Sequence, residues 1–168
     1  MWLISDSFSI IMTKEIIYTK GDATNPPPGD NRIIVHICND IGGWGKGFVT
    51  AISKRWPQPE KEYRQWFKTQ NNFVLGEVQF VQVEDQLWVA NIIGQHKINR
   101  DEEGKPPIRY EAVAKGLKKV GDYAIANNAS VHMPRIGCGL AGGTWDKIEP
   151  LITEALSNRG VAVTVYDF

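Results

Sequence analysis

The sequence predicts an α/β domain: a mixed, mostly parallel sheet covered by helices on both faces. Three observations predict it. The β-branched runs Ile33–Cys38 (IIVHIC) and Val161–Tyr166 (VAVTVY) lack a polar alternation, the pattern of strands buried on both sides. At Arg109–Asn127, Val113, Leu117, Val120 and Ala124 recur at helical spacing, which marks an amphipathic helix. Strand-like and helix-like segments also alternate along the chain, the order that builds a parallel sheet.

Taken in order, Glu15–Lys20 (EIIYTK) is a first strand that stops at Gly21-Asp22. The loop Asn25–Asp30 (NPPPGD) is too rich in proline for regular structure. After the strand at Ile33–Cys38 come four glycines within Gly42–Gly47, then a short helix over Phe48–Trp56, broken by Pro57. A second helix runs from Pro59, a residue suited to a first helical position, to about Gln70. Glu77–Val83 and Leu87–Ile93 read as a hairpin around Glu84-Asp85. Gly94–Ile108 is a polar loop, and the amphipathic helix at Arg109–Asn127 follows. Ser130–Pro134 is a short strand that runs into a second glycine-rich turn, Arg135–Gly143 (RIGCGLAGG). A helix begins near Thr144, its expected N-cap, with Asp146 in the first turn, and ends near Asn158–Gly160.

The 168 residues fit one domain, which buries roughly two-thirds of its unfolded surface. Nineteen basic residues balance nineteen acidic ones, so no global field draws the chain to nucleic acid or membrane. An anion of nucleotide size can still be held by backbone N–H groups. Cys38 and Cys138 show no metal spacing and start no phosphatase loop, so both are read as reduced, buried thiols of a cytoplasmic protein, and no metal is expected. No stretch reaches the ~18 apolar residues of a membrane span. Residues 1–13 are read as an N-terminal extension, with Met12 as the natural start, and residues 14–168 as the domain.

Both glycine loops leave the end of a buried strand and lead into a helix. Open α/β sheets bind ligands at that end, and glycine lets successive N–H groups approach phosphate oxygens. Two known patterns fit poorly. Gly137-x-Gly139-x-x-Gly142 matches a dinucleotide fingerprint but has only one strand after it. Gly45-Lys46-Gly47 lacks the Ser/Thr and the first glycine of a P-loop.

The ordered set KGDAT (Lys20–Thr24), VHICND (Val35–Asp40), GGWGKGF (Gly42–Phe48), GEVQF, VANIIGQ (Val89–Gln95), MPRIGCGLAGGTW (Met133–Trp145) and TVYDF resembles the macrodomain family over about residues 14–168. The similar branch holds terminal ADP-ribose protein glycohydrolases, antitoxin macrodomains and yeast-type ADP-ribose 1″-phosphate phosphatases. The resemblance implies a three-layer α/β/α macrodomain-like mixed sheet and, as ligand, ADP-ribose or a derivative. The implied partners extend to ADP-ribosylated protein or nucleic acid, with no cofactor and a monomeric state. Asp22, with Ala23 beside it, matches the acceptor for the adenine amino group, Asn39 the distal-ribose position, and Tyr166 a position near the adenine ring. Gly45, Lys46 and Gly47 match the first phosphate loop. Arg135, Ile136, Gly137, Cys138, Gly139, Leu140 and Ala141 match the second.

The same resemblance puts the glycohydrolase mechanism in question. Its nucleophilic lysine falls on Gln95 and its acid on Ala141, and neither can do that chemistry. Lys97 reaches the site only if the loop shifts. Hydrolysis through water needs a group to orient or deprotonate it. Asp40, after Asn39, is the first candidate, followed by His36 and His96. The alternative function is a reader that binds ADP-ribose without chemistry. Trp44 is expected either to cover the distal ribose or to pack on the neighbouring helix.

Overall fold

The structure, a computed structural model, describes residues 12–168; the extension and start expected around residues 1–13 lie almost wholly outside them. Six strands form one sheet, in the order β1-β6-β5-β2-β4-β3. They are β1 (Ile17–Lys20), β2 (Asn31–Asn39), β3 (Val78–Glu84), β4 (Leu87–Gln95), β5 (Ala129–Met133) and β6 (Val163–Asp167). Every pairing is parallel except the β3–β4 hairpin. The helices are α1 (Phe48–Arg55), α2 (Gln58–Thr69), α3 (Tyr110–Ala126) and α4 (Trp145–Ala155).

Strand alternation divides the core in two. Ile33 and Val35 of β2, with Ala90 and Ile92 of β4, pack against Val113, Leu117 and Val120 of α3 and Ile148 and Ile152 of α4. Ile34 and Cys38, with Val89 and Ile93, face the other way, onto Ile52 of α1 and Tyr63 of α2. Each of these large apolar side chains contributes about 1.5–3 kcal/mol by burial. Gly116 lets α3 lie close to the sheet, since a Cβ there would stand 2.4 Å from Ile92 Cγ2. Among the described residues, no helix is long and apolar enough to cross a membrane.

Several boundaries differ from expectation. The first and last strands begin two residues later, at Ile17 and Val163, and the last continues to Asp167. The hairpin turns at Asp85-Gln86 rather than Glu84-Asp85, with Gln86 in the left-handed conformation (φ 58°). Thr144 does sit at the N-cap of α4, but its side chain makes no capping bond. That helix stops at Ala155, and a 3₁₀ turn over Ser157–Arg159 completes the span expected as helix.

Two buried histidines make the fold acid-sensitive. Burial holds the pKa of His36 and that of His132 at about 4 each; the hydrogen bond from His36 to the Asn91 side-chain oxygen opposes the shift at His36, and Arg32 adds to it at His132. The unfolded chain binds protons near pH 6.5 and the folded one does not, so stability is full above that value. It falls as pH drops from 6.5 towards 4. Between pH 7 and pH 5 each histidine is expected to cost about 2 kcal/mol of unfolding free energy. Urea titrations of the protein and of His132→Asn at both pH values check this: the variant should lose part of the pH dependence, and an unchanged slope would contradict it.

Candidate functional site

The first glycine loop leaves the carboxyl end of β2, and Asn39 shapes it. The Asn39 Oδ1 accepts from the N–H groups of Ile41 (3.0 Å) and Gly43 (2.9 Å), and its Nδ2 donates to Gly43 O at 2.8 Å. The Tyr63 hydroxyl, from α2, reaches Asn39 O at 2.6 Å and Oδ1 at 2.9 Å. The loop ends at Gly47 (φ 84°), and α1 starts without a side-chain cap. The second loop leaves β5 and is closed by Gly142 N–H to Gly139 O (3.0 Å) and Gly143 N–H to Gly137 O (2.7 Å). Among the described residues, the N–H groups of Gly45, Lys46 and Gly47 in one loop, and of Gly139, Leu140 and Ala141 in the other, donate to no backbone oxygen.

These donors surround one cleft. A cavity of about 260 Å³ is lined by His36, Lys46, Gly47, Arg135, Gly137 and Ala141. Beside it lies one of about 730 Å³, whose lining includes Asn39, Trp44, Gly45, Ile98, Asn99 and Arg100. Lys46, Val49, Gln95, Gly139 and Leu140 line both. Most of these N–H groups belong to exposed loop residues, and an anion between the loops would accept from them.

The residues matched to the adenine end, Asp22, Ala23 and Tyr166, line neither cavity. The Asp22 Oδ1 accepts from Thr24 N–H (2.8 Å) and Thr24 hydroxyl (2.6 Å), and its Oδ2 pairs with Arg55 at 3.3 Å. Partial burial pushes this carboxyl up, but the Thr24 bonds and Arg55 outweigh it and hold the pKa below the usual value. Ala23 is buried, as is Tyr166, whose ring lies beneath Gly21 and whose hydroxyl meets His132 Nδ1 at 2.8 Å. Arg135 lines the narrower cavity, but its guanidinium is engaged with other side chains. Its guanidinium pairs with Asp167 (2.7 and 3.1 Å) and stacks between Tyr18 and Trp145, 5.1 and 5.0 Å from the ring centres. Ile136 is buried, Cys138 is half-buried with its thiol pKa raised by that burial, and Leu140 is exposed on the rim.

Asp40 and His96 come together. His96 Nδ1 lies 2.7 Å from Asp40 Oδ2, and Lys97 N–H donates to Oδ1 at 2.7 Å. Neither side chain lines the two cavities described above. His96 opens instead onto an adjoining surface hollow, which shares Ile98, Asn99 and Arg100 with the cleft. His36 lies apart from them, under the narrower cavity, with Nε2 2.5 Å from Asn91 Oδ1 and a buried Nδ1 that has no partner. The Asn91 amide also donates to Pro59 O and to Gln79 Oε1, so its oxygen faces the ring and His36 carries its proton on Nε2. Trp44 packs on the neighbouring helix. It is buried against His36 and Tyr63 with its indole N–H on Ser53 Oγ (2.8 Å), and it lines the wider cavity. Lys97 points to the outer hollow and not to the cleft. Among the described residues, no cluster of His, Cys, Asp and Glu could hold a metal ion.

Sequence reasoning missed Ile98, Asn99 and Arg100 as cleft wall and Tyr63 as the brace of Asn39. The one signal for the wall was position, since that loop follows β4 at the same sheet end as the glycine loops. Nothing in the sequence marks Tyr63.

No protein-family model matches the chain. A solved macrodomain protein from Streptomyces coelicolor is 55% identical, covers 92% of this chain and 99% of its own, and superposes with a TM-score of 0.82. The chain belongs to the macrodomain family. A second structure, from Bacteroides thetaiotaomicron, resembles this macrodomain at 61% identity and a TM-score of 0.91, over 92% of this chain and 99% of its own. The mouse chromodomain-helicase-DNA-binding protein 1-like is 34% identical over 91% of the chain, but the macrodomain spans only 18% of that protein's length. Two hydrolases match it over most of their own length. The ADP-ribose 1″-phosphate phosphatase of Candida albicans is 26% identical over 83% of this chain and 92% of its own. The human ADP-ribose glycohydrolase is 26% identical, over 90% of each.

Proposed function

We propose that this macrodomain binds ADP-ribose with its diphosphate between the two glycine loops, and hydrolyses a derivative substituted on the distal ribose. The observation that carries the binding is the set of unpartnered N–H groups on Gly45–Gly47 and Gly139–Ala141, facing one cleft with Lys46. The names of the two full-length relatives support a hydrolase. For the chemistry, the Asp40–His96 pair is the candidate acid–base group. Asp40 accepts the Nδ1 proton of His96, which leaves the Nε2 lone pair free to take a proton from water. Asp22 and Tyr166 would frame the base, and Asn39 the distal ribose.

A second reading, binding without turnover, is favoured by one observation: no carboxylate lines either cavity of the cleft. At the positions of the lysine and acid stand Gln95, whose amide donates to Lys97 O at 2.9 Å, and buried Ala141. Turnover assays with ADP-ribose 1″-phosphate and with ADP-ribosylated protein and DNA separate the two. A hydrolase should turn over at least one of them, and Asp40→Asn, which keeps an acceptor for Lys97, should slow it by about 10²-fold or more with ADP-ribose affinity retained. An unchanged rate removes Asp40 from the mechanism; no turnover of any of the three leaves a reader.

A further inference from the structure

The wider cavity of the cleft has two cations in its lining, Lys46 and Arg100, and no carboxylate. They stand apart in function. Lys46 belongs to the first glycine loop, next to the unpartnered N–H groups, and lines both cavities. Arg100 lines only the wider one, on the side of Trp44 and Asn39, away from the narrow cavity.

The guanidinium of Arg100 is held but not neutralised. Its Nη1 donates to Gly104 O at 2.7 Å. Its Nη2 lies 3.5 Å from where a Cβ on Gly142 would be, which fixes it against the second glycine loop. Among the described residues no carboxylate forms an ion pair with it. Of the carboxylates nearby in sequence, Glu102 and Glu103 line the outer hollow that Arg100 also borders, but neither lines the wider cavity or pairs with Arg100; two others are occupied. Asp101 folds into its own turn, accepting from Glu103 N–H and Lys105 N–H at 2.9 Å each, and Asp40 is tied to His96 and Lys97. A guanidinium has five donors in a planar fork, and one carbonyl leaves most of them free.

We infer that Arg100 is a specificity-determining residue that reads a phosphate carried on the distal ribose, beyond the diphosphate cradle. The inference rests on the proposed placement of the diphosphate between the loops, which puts the distal ribose on the side of Trp44, Asn39 and Arg100. A phosphate there meets a fork of matching geometry with no competing carboxylate in the lining, whereas a neutral or cationic adduct leaves the guanidinium without a partner. His96 opens onto the same hollow as Arg100, so a group bound by Arg100 would lie beside the candidate base. Because Arg100 is exposed, the preference should weaken with salt.

The test compares ADP-ribose with ADP-ribose 1″-phosphate on the protein, Arg100→Gln and Arg100→Lys. It reads Kd by calorimetry, or KM from initial rates where the ligand is turned over. The protein should favour the phosphorylated ligand by about tenfold at low salt. Arg100→Gln should lose that preference while holding ADP-ribose nearly as well, and Arg100→Lys should recover part of it. Equal affinity for the two ligands in the unaltered protein, or a preference that survives in Arg100→Gln, overturns the inference. So does an equal loss of both ligands in Arg100→Gln, since Arg100 would then only brace its loop through Gly104. If the unaltered protein binds neither ligand, the cleft reading itself has failed.

Discussion

Gly139→Glu is expected to abolish ADP-ribose binding while leaving the melting temperature nearly unchanged. A Cβ at Gly139 meets nothing within 4 Å, so the backbone accepts the side chain without rearrangement. The carboxylate it carries lies at the rim shared by both cavities, beside Lys46 and the free N–H groups. There it takes the donors meant for phosphate and opposes the incoming charge. Two like charges about 4 Å apart repel by roughly 4 kcal/mol at a protein surface, about a thousandfold in affinity. Gly143 makes the contrast. A Cβ there would lie 2.5 Å from Gly137 O, so substitution at Gly143 damages the loop and says little about the ligand. Calorimetry and thermal melts on Gly139→Glu check both halves. Retained binding would mean that the anion does not lie between the loops.

Asn39→Ala is expected to lower both stability and affinity. The side chain satisfies two N–H groups and one carbonyl of the loop, and it meets the Tyr63 hydroxyl, all in a part-buried setting. Leaving such groups without partners costs about 2–4 kcal/mol, or roughly 8 °C in melting temperature for a domain of this size. The loop that presents Gly45–Gly47 would then no longer be preorganised, so affinity should fall by about tenfold or more. Tyr63→Phe removes only the hydroxyl and should show a smaller version of both effects. A thermal melt and a titration on each variant decide it. If Asn39→Ala melts normally but binds no ligand, Asn39 acts by direct contact rather than by holding the loop.

The fold was legible because its signals are local and repeated. The Ile33–Cys38 run, the stripe Val113–Leu117–Val120–Ala124 and the two glycine clusters each identify an element without knowledge of the others. The strand order was not legible; it comes from the structure. At the site, the glycine loops could be read because glycine itself marks the backbone geometry they need. What could not be read is where side chains turn once the chain has folded. Arg135 reads as a phosphate ligand, yet it pairs with Asp167, a residue 32 positions away. Asp40 and His96 are 56 positions apart, and nothing in either segment announces that they meet. Beyond its place after β4, Arg100 carried no signal of its own, because a charged residue in a polar loop is ordinary until its neighbours are known.

The central claim is that the facing N–H groups of the two loops form a cradle for the diphosphate of ADP-ribose. Calorimetric titration of the protein with ADP-ribose, beside Gly139→Glu, tests it most directly. Saturable one-to-one binding that the variant lacks is the expected result. No heat of binding at high micromolar ADP-ribose would contradict it.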